Sequence, residues 1–214
     1  MDMPNSNAGK PDVPAASDPK APRTERGRKT LRKLLDASAI EFGEKGFHEA
    51  SVSSITRRAG VALGSFYTYF DSKESLFQAL VKDMSTNVKS SARAALSDDM
   101  GAVEVERVAL QAFLEFAREH KEIYRIIDEA EFVDAESYRA HYQGIAKLIE
   151  ARLEAGAKNG EFRSDVGEVE AWALMGMNVF VGLRFAVWDD GNADMSKLAA
   201  AVNRMLVEGI APKN

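Results

Sequence analysis

One stretch of the sequence decides the fold: residues 51–73 read SVSSITRRAGVALGSFYTYFDSK. Ser51 opens it with a hydroxyl that can accept from the free amides of a helical first turn. Gly60 suits the left-handed conformation that ends a helix. The apolar residues between them share one helical face, namely Val52, Ile55 and Ala59. This pattern predicts a short helix whose other face leaves Arg57 and Arg58 free for solvent or phosphate.

The second half of the stretch, residues 64–70, predicts another short helix after a connection of about four residues. Phe66 and Phe70 lie four positions apart and can be buried together. The outer positions carry hydroxyls, on Ser65, Thr68 and Tyr69. Hydroxyls suit phosphates and base edges of a DNA major groove, and Gly64 lets another backbone approach closely.

Two interpretations fit these residues: a DNA-binding helix-turn-helix, or an aromatic core helix with no partner outside the protein. The formal net charge of −5 argues against DNA binding at first sight. Residues 20–60, however, carry ten Lys and Arg against five Asp and Glu. Because phosphate binding depends on local charge, a basic end on an acidic protein favours the helix-turn-helix.

Together with FGEKGF at residues 42–47, the stretch 51–76 resembles the N-terminal domain of tetracycline-repressor-type (TetR) transcriptional regulators. The family pattern is G-F/Y, then T-T/V-x-x-I-A-x-x-A-G-V-S-x-G-x-F/L-Y-x-Y-F-x-S/N-K-x-x-L. The matching residues are Gly46-Phe47, Val52, Ile55, Ala59-Gly60-Val61, Gly64, Phe66-Tyr67, Tyr69-Phe70, Ser72-Lys73 and Leu76. The resemblance covers about a quarter of the chain and carries no information on a ligand.

The resemblance implies a set of DNA contacts in double-stranded operator DNA. Their expected members are Ser51, Val52, Arg57, Leu63, Gly64, Ser65, Tyr67, Thr68, Tyr69 and Lys73. Ser65, Thr68 and Leu63 are expected to face base edges, and most of the others the phosphate backbone. Thr56, Ala62, Leu63 and Thr68 depart from the family's usual residues. Few charged groups then read bases, so specificity per contact is expected to be modest.

The sequence as a whole predicts an all-α protein, with a three-helix DNA-binding head and a helical ligand-binding and dimerisation domain. Residues 1–22 hold five of the six prolines and are expected to form a disordered arm. Whether Arg23, Arg26 and Arg28 reach a minor groove or belong to a tether stays open. The helix-turn-helix domain is expected at 23–72 and the effector-binding and dimerisation domain at 73–210.

The most apolar segment of the chain lies between Val169 and Trp188. It is slightly short for a membrane span and contains Asn178 and Arg184, so a helix covered by protein is favoured and no membrane partner is expected. The resemblance implies that this helix and the last one pair with their copies in a homodimer. The expected interface residues are Trp172, Gly176, Val179, Leu183, Leu198, Val202 and Met205.

The body also carries aromatic and sulfur side chains that could line an apolar effector pocket. They are Phe113, Phe116, Tyr124, Phe132, Tyr138, Tyr142, Trp172, Met175 and Phe180. The competing interpretation of each is an ordinary core residue. The acidic run at 128–134 could orient a cationic or hydroxylated ligand, or it could be a solvated helix end.

Several classes of function have no support in the sequence. There is no cysteine, the three histidines show no metal-ligand spacing, and the motifs of nucleotide-binding and hydrolytic enzymes do not occur. We expect no enzyme, no metal and no cofactor. The first residues lack the basic and apolar regions of a secretory signal, which predicts the cytoplasm.

The expected function is that of a homodimeric repressor that binds a pseudo-palindromic operator. A small effector, apolar or of aromatic or acyl type, would release it. The alternatives are a constitutive DNA-organising protein without effector and, less favoured, a helical ligand-binding or catalytic protein that has lost DNA binding.

Overall fold

The computed structural model describes residues 22–189 and 191–210, and this part of the chain is all-α, which confirms the predicted fold class. The helices are α1 (Glu25–Glu49), α2 (Val52–Ala59), α3 (Leu63–Phe66), α4 (Lys73–Ala94), α5 (Ala102–Glu119), α6 (Glu122–Val133), α7 (Ala135–Lys158), α8 (Glu168–Gly182) and α9 (Met195–Ile210). The predicted arm lies outside the described residues except for Pro22. Arg23, Arg26 and Arg28 are exposed at the start of α1.

The head consists of α1, α2 and α3, and its turns follow the local sequence. Gly46 adopts φ +82° and kinks α1 before Phe47 turns into the core. Ser51 caps α2, since its hydroxyl accepts from the Ser54 amide while the Ser54 hydroxyl accepts from the Ser51 amide. Gly60 ends α2 at φ +66°. Left-handed conformations of this kind are readily available only to glycine.

Aromatic rings tie the head to the first half of α4. Phe77 of α4 contacts both Phe42 and Phe47, with ring centroids 5.2 and 5.0 Å apart in edge-to-face geometry. One buried cluster therefore runs from α1 through α4 to α6. The domain boundary predicted at residue 72 therefore lies between α1 and α4, two helices that share one hydrophobic core.

The body packs α5, α7, α8 and α9 in two further clusters. Phe162 is 2% exposed and lies over Gly156, so it fixes the loop after α7. Gly182 of α8 faces Tyr124 and Phe113 so closely that a Cβ there would lie 3.1 Å from the Phe113 ring. Close approach of α8 to α5 and α6 thus requires this glycine.

The apolar helix α8 continues through a π-helical segment, Leu183–Val187. By length and composition alone, Glu168–Val187 would suffice to cross a membrane. Its inner face carries Ala171, Leu174 and Met175, which are buried in the body. This is the packing of a core helix, while its outer face has no cover among residues 22–189 and 191–210.

Candidate nucleic-acid interface and ligand cavity

The second helix of the predicted helix-turn-helix, α3, is shorter than the sequence pattern indicated. Regular helix ends at Phe66, and the amides of Thr68 and Tyr69 bond three residues back, to Ser65 and Phe66. Gly64 and the β-branched Thr68 are weak helix formers, which accounts for the early end. The predicted anchors hold nevertheless, because Phe66 and Phe70 are 0% and 2% exposed.

These anchors present one edge of the head to solvent. Leu63 and Tyr67 are 48% and 53% exposed, and Gly64 and Thr68 are also exposed. Ser65 is half-buried. The side chains expected at base edges and phosphates are thus accessible together on α3 and the turn after it.

Tyr69 differs from its predicted outer position. Its ring packs partly against the head core. Its hydroxyl lies beside Gly27 at the start of α1, where it would be 3.4 Å from an added Cβ. Tyr69 therefore supports α1 from the side of the head core and is a poor candidate for a direct base contact.

The start of α2 supplies amides to the same surface. Ser54 is bonded to Ser51 and Ile55 to the Ser51 carbonyl, which leaves the amides of Val52 and Ser53 without a partner in the described part of the chain. The Val52 side chain itself packs against the core. Free amides at a helix N-terminus bind phosphates well.

Of the two arginines expected to be free, only Arg57 is. Arg58 donates to Glu41 at 2.7 Å and to Glu44 at 2.6 Å, so it is an internal ion-pair partner. Hydrogen bonding from Lys45, followed by that from Arg58, lowers the pKa of the buried Glu41 to about 2. Arg57 is exposed and forms no ion pair among the described residues.

Lys73 also has a different role from the expected phosphate contact. Its ammonium donates to the carbonyl oxygens of Phe47, His48 and Ala50 at 2.7, 3.3 and 2.9 Å. It also lies 4.4 Å from the centroid of the Phe47 ring. All three donors are used, so in this conformation Lys73 caps the end of α1. The sequence feature that pointed to this capping role was the helix break at Gly46, because a broken helix leaves carbonyl groups that need a hydrogen-bond donor.

A cavity of about 840 Å³ opens between α4, α5, α7 and α8. Of the predicted pocket residues, it is lined only by Phe113 and Met175. Its other apolar walls include Val88, Leu110 and Ile149. Its size lies in the range typical of small-molecule sites.

The remaining predicted pocket residues lie elsewhere. Three are largely exposed, namely Phe132, Phe180 and Trp172, at 85%, 69% and 41%. The other four pack between helices, namely Phe116 on His120, Tyr124 with its hydroxyl on the Val179 carbonyl, and Tyr138 edge-on to Tyr142. Aromatic character alone did not identify the cavity, since each ring follows the face of its own helix.

Polar side chains that the sequence reasoning missed also line the cavity: Lys89, Arg93, Arg152 and Asn178. Arg152 pairs with Glu106, which is 4% exposed, at 3.0 Å. Lys89 and Arg93 form no ion pair within the described residues. Lys89 and Arg93 could have been recognised as a pair in the sequence, because residues four apart on α4 lie on one helical face.

Within the acidic run, Asp128 and Glu131 are exposed near the end of α6, whereas Glu129 has a role that neither alternative described. Glu129 accepts from the amide of Phe47 at 2.6 Å and pairs with Arg125, which in turn donates to the Gly43 and Glu44 carbonyls. These contacts fasten α6 of the body onto the end of α1. In the part of the chain described, no group of three His, Asp or Glu side chains is arranged to hold a metal.

The residues expected at a dimer interface divide between exposed and inward positions. Large apolar side chains are exposed on the outer faces of α8 and α9, including Val169, Trp172, Phe180 and Met205. No atom lies near an added Cβ at Gly176, so that position is open.

Three other expected interface residues face the protein's own interior, and a fourth is half-buried. Val202 is only 8% exposed and belongs to the protein's own core, and Leu198 packs against the same cluster. Val179 lines the cavity, and Leu183 is half-buried. The apolar residues of α8 and α9 occupy two faces of these helices, and one of these faces packs within the protein itself.

Comparison with known proteins identifies the family. The family described as bacterial regulatory proteins, tetR family, matches residues 34–80. The uncharacterized HTH-type transcriptional regulator YdgC of Bacillus subtilis is 31% identical over 193 residues, which cover 88% of this chain and 96% of that protein.

Two solved structures share the fold. The fatty acid degradation regulator FadR from Bacillus halodurans superposes with a TM-score of 0.74 at 21% identity, over 83% of this chain and 94% of that one. FadR from Bacillus subtilis in complex with stearoyl-CoA gives 0.73 at 20% identity, over 84% and 98%. The chain therefore belongs to the tetR family of bacterial regulatory proteins, which are helix-turn-helix transcriptional regulators.

Proposed function

We propose that the protein is a ligand-responsive transcriptional repressor that binds a pseudo-palindromic operator as a homodimer and is released by a small, largely apolar effector. The observation that carries the proposal is the exposed edge of α3, held rigidly by the buried rings of Phe66 and Phe70. A protein that acts on chromosomal DNA in bacteria works in the cytoplasm.

The proposed DNA contacts follow the accessible groups of the head. The amide of Val52, the capping Ser51, Gly64, the hydroxyl of Tyr67 and the guanidinium of Arg57 are assigned to phosphates. The exposed Leu63 and Thr68, with the half-buried Ser65, are assigned to base edges. Lys73 is assigned a positioning role, because it holds the end of α1 beside these groups.

The proposed homodimer is supported by the exposed apolar faces of α8 and α9. A contiguous patch of this kind is rare on a monomer and marks an interaction surface. A two-fold axis through it would place two copies of α3 about one duplex turn apart, which a pseudo-palindromic operator requires.

The proposed switch works through α4. This helix contributes Phe77 to the head core and Lys89 to the cavity wall, so a ligand that moves α4 changes the head. The contacts of Arg125 and Glu129 couple α6 to the same end of α1. Release requires only that the effector binds the DNA-incompetent arrangement more tightly.

A gel shift on the DNA that flanks the protein's own gene tests this proposal. A repressor gives a sequence-dependent band that an unrelated duplex does not compete away, and an apolar effector abolishes the band. Binding that ignores both sequence and every effector would favour a constitutive DNA-organising protein. Absence of binding to any duplex would contradict the assignment of the head.

A further inference from the structure

We infer that the ligand of the cavity is an anionic amphiphile: a long apolar chain attached to a head that carries a carboxylate or phosphate group, which Lys89 and Arg93 bind. The inference rests on the proposed function in one respect, in that it takes the cavity between α4, α5, α7 and α8 as the effector site.

The wall of the cavity selects a long chain over a compact polar molecule. Its apolar side chains come from all four helices, for example Val88, Leu110, Ile149 and Met175. Much of its space is created by small residues, among them Ala92, Ala109, Ala151 and Ala155. Burial of each methylene of a ligand against such a wall is favourable, so affinity should grow with chain length.

The charges around the cavity select an anion. No Asp or Glu is among the described residues that line it, whereas Lys89, Arg93 and Arg152 are. The charge of Arg152 is already neutralised by the buried Glu106. Lys89 and Arg93 have no such carboxylate, so they are the two cations left for a ligand.

These two cations differ from those basic residues of the surface that pair with an acid on their own helix, as Lys29 does with Glu25 and Arg107 with Glu104. In an acidic chain, two unpaired cations one turn apart at an apolar cavity form a local positive site. A carboxylate or phosphate accepts charge-assisted hydrogen bonds from both, and these are stronger than neutral ones.

A further polar group lies on the opposite wall. The Oδ1 atom of Asn178 is buried and has no hydrogen-bond partner among the residues that the structure describes. The residue stands on the inner face of α8, seven positions after Ala171 and three after Met175. Its amide can bind a hydroxyl or, through the nitrogen, a carbonyl, so the ligand has a place for one polar group along its chain. A free fatty acid carries its carboxylate at the end of the chain, whereas an acyl thioester of coenzyme A carries its phosphates beyond the pantetheine arm; both offer an anion to Lys89 and Arg93.

The test is isothermal titration calorimetry on the full chain with laurate, lauroyl-CoA and methyl laurate below their critical micelle concentrations. Laurate or lauroyl-CoA is expected to bind, and methyl laurate, which lacks the charge, to bind at least about tenfold more weakly. Whichever of laurate and lauroyl-CoA binds more tightly shows whether the head group is that of a free fatty acid or of coenzyme A. Across octanoate, laurate and palmitate, affinity should rise by up to about fourfold per methylene until the cavity is full.

The double variant Lys89→Gln, Arg93→Gln is expected to weaken the anionic ligands about tenfold or more and to change methyl laurate by less than about twofold. Lys147→Gln is the matched control, because Lys147 is exposed on α7 and does not line the cavity. Circular dichroism of each variant verifies the fold.

Three outcomes would overturn the inference: methyl laurate binding as tightly as laurate, anion binding that the double variant leaves unchanged, or no binding of any chain. The first two leave the proposed repressor intact, with a neutral apolar effector or a different anion site. Failure of the proposed function has its own signature in the gel shift, which reports operator binding without any of these ligands.

Discussion

At the scale of single residues, the end of α1 depends on an unusual cap. Gly46 breaks the helix, and the carbonyls that follow are satisfied by the ammonium of Lys73 from α4. We expect Lys73→Ala to lower the free energy of unfolding by about 2 kcal/mol, since it leaves partly buried carbonyls without a donor. Urea denaturation measures this directly.

Arg57→Ala is the matched control for Lys73→Ala. Arg57 is an exposed cation on the same head without an internal partner, so its removal should leave the unfolding free energy unchanged. It should weaken binding to all DNA sequences and reduce the salt dependence of binding by about one ion. If Lys73→Ala behaved like Arg57→Ala, with unchanged stability, Lys73 would be a phosphate contact after all.

A second residue-scale prediction concerns the buried His141. The Ser85 hydroxyl donates to the Val81 carbonyl, so its oxygen accepts from Nδ1–H of His141 at 2.7 Å. Burial, with a smaller contribution from Lys89, lowers the pKa of His141 from 6.5 to about 4. The folded state therefore favours the neutral ring, while the unfolded chain takes up a proton below pH 6.5.

The stability linked to His141 is complete above pH 6.5 and is lost as the pH falls towards 4. The loss amounts to about 3 kcal/mol. His141→Gln should flatten the pH dependence of the unfolding free energy in this window, and His48→Gln, at an exposed position, should not. This pH range lies above the range in which stability linked to Glu41 is lost, because the pKa of Glu41 is about 2. An equal slope in both variants would contradict this assignment.

At the scale of elements, α3 and the turn after it carry both proposed phosphate contacts and proposed base contacts. Tyr67→Phe removes one exposed hydroxyl and should weaken binding to every sequence by about fivefold. Thr68→Ala should instead change the preference at one base pair of each half-site. Competition gel shifts with single base-pair substitutions separate these results. Uniform weakening by Thr68→Ala would place its hydroxyl on the backbone.

The elements also show what could be predicted from the sequence. The helix-turn-helix was predictable because its signals are local: Ser51 caps α2, Gly60 ends it, and Phe66 and Phe70 anchor α3. The partners of Lys73 and Arg58 could not be predicted, because their acceptors are distant in sequence and become neighbours only after α1 has packed.

The cavity was missed for a related reason. Large aromatics such as Tyr124 and Phe116 were expected to line it, but they fill the spaces between helices. The cavity is lined instead by alanines of different helices, such as Ala109 of α5 and Ala155 of α7. A cavity depends on the absence of bulk in four helices at once, and no periodicity within a single helix records that.

At the scale of the whole molecule, the outer face of α8 and α9 decides the assembly. Phe180 is 69% exposed and Met205 62%, and both lie on helices whose inner faces are already packed. A second copy of this face would cover them, as the proposed homodimer requires. Charge at its centre should prevent association, because a buried carboxylate without a partner is strongly unfavourable.

We therefore expect Phe180→Glu to raise the dimer dissociation constant about thirtyfold or more and to abolish the operator band at concentrations where the native protein binds. Phe132→Glu is the matched control, because Phe132 is 85% exposed but belongs to α6 and not to α8 or α9, and it should change neither result. Sedimentation velocity at micromolar concentration measures the association. A native protein that sediments as a monomer would contradict the homodimer, and a Phe180→Glu dimer would place the interface on another surface.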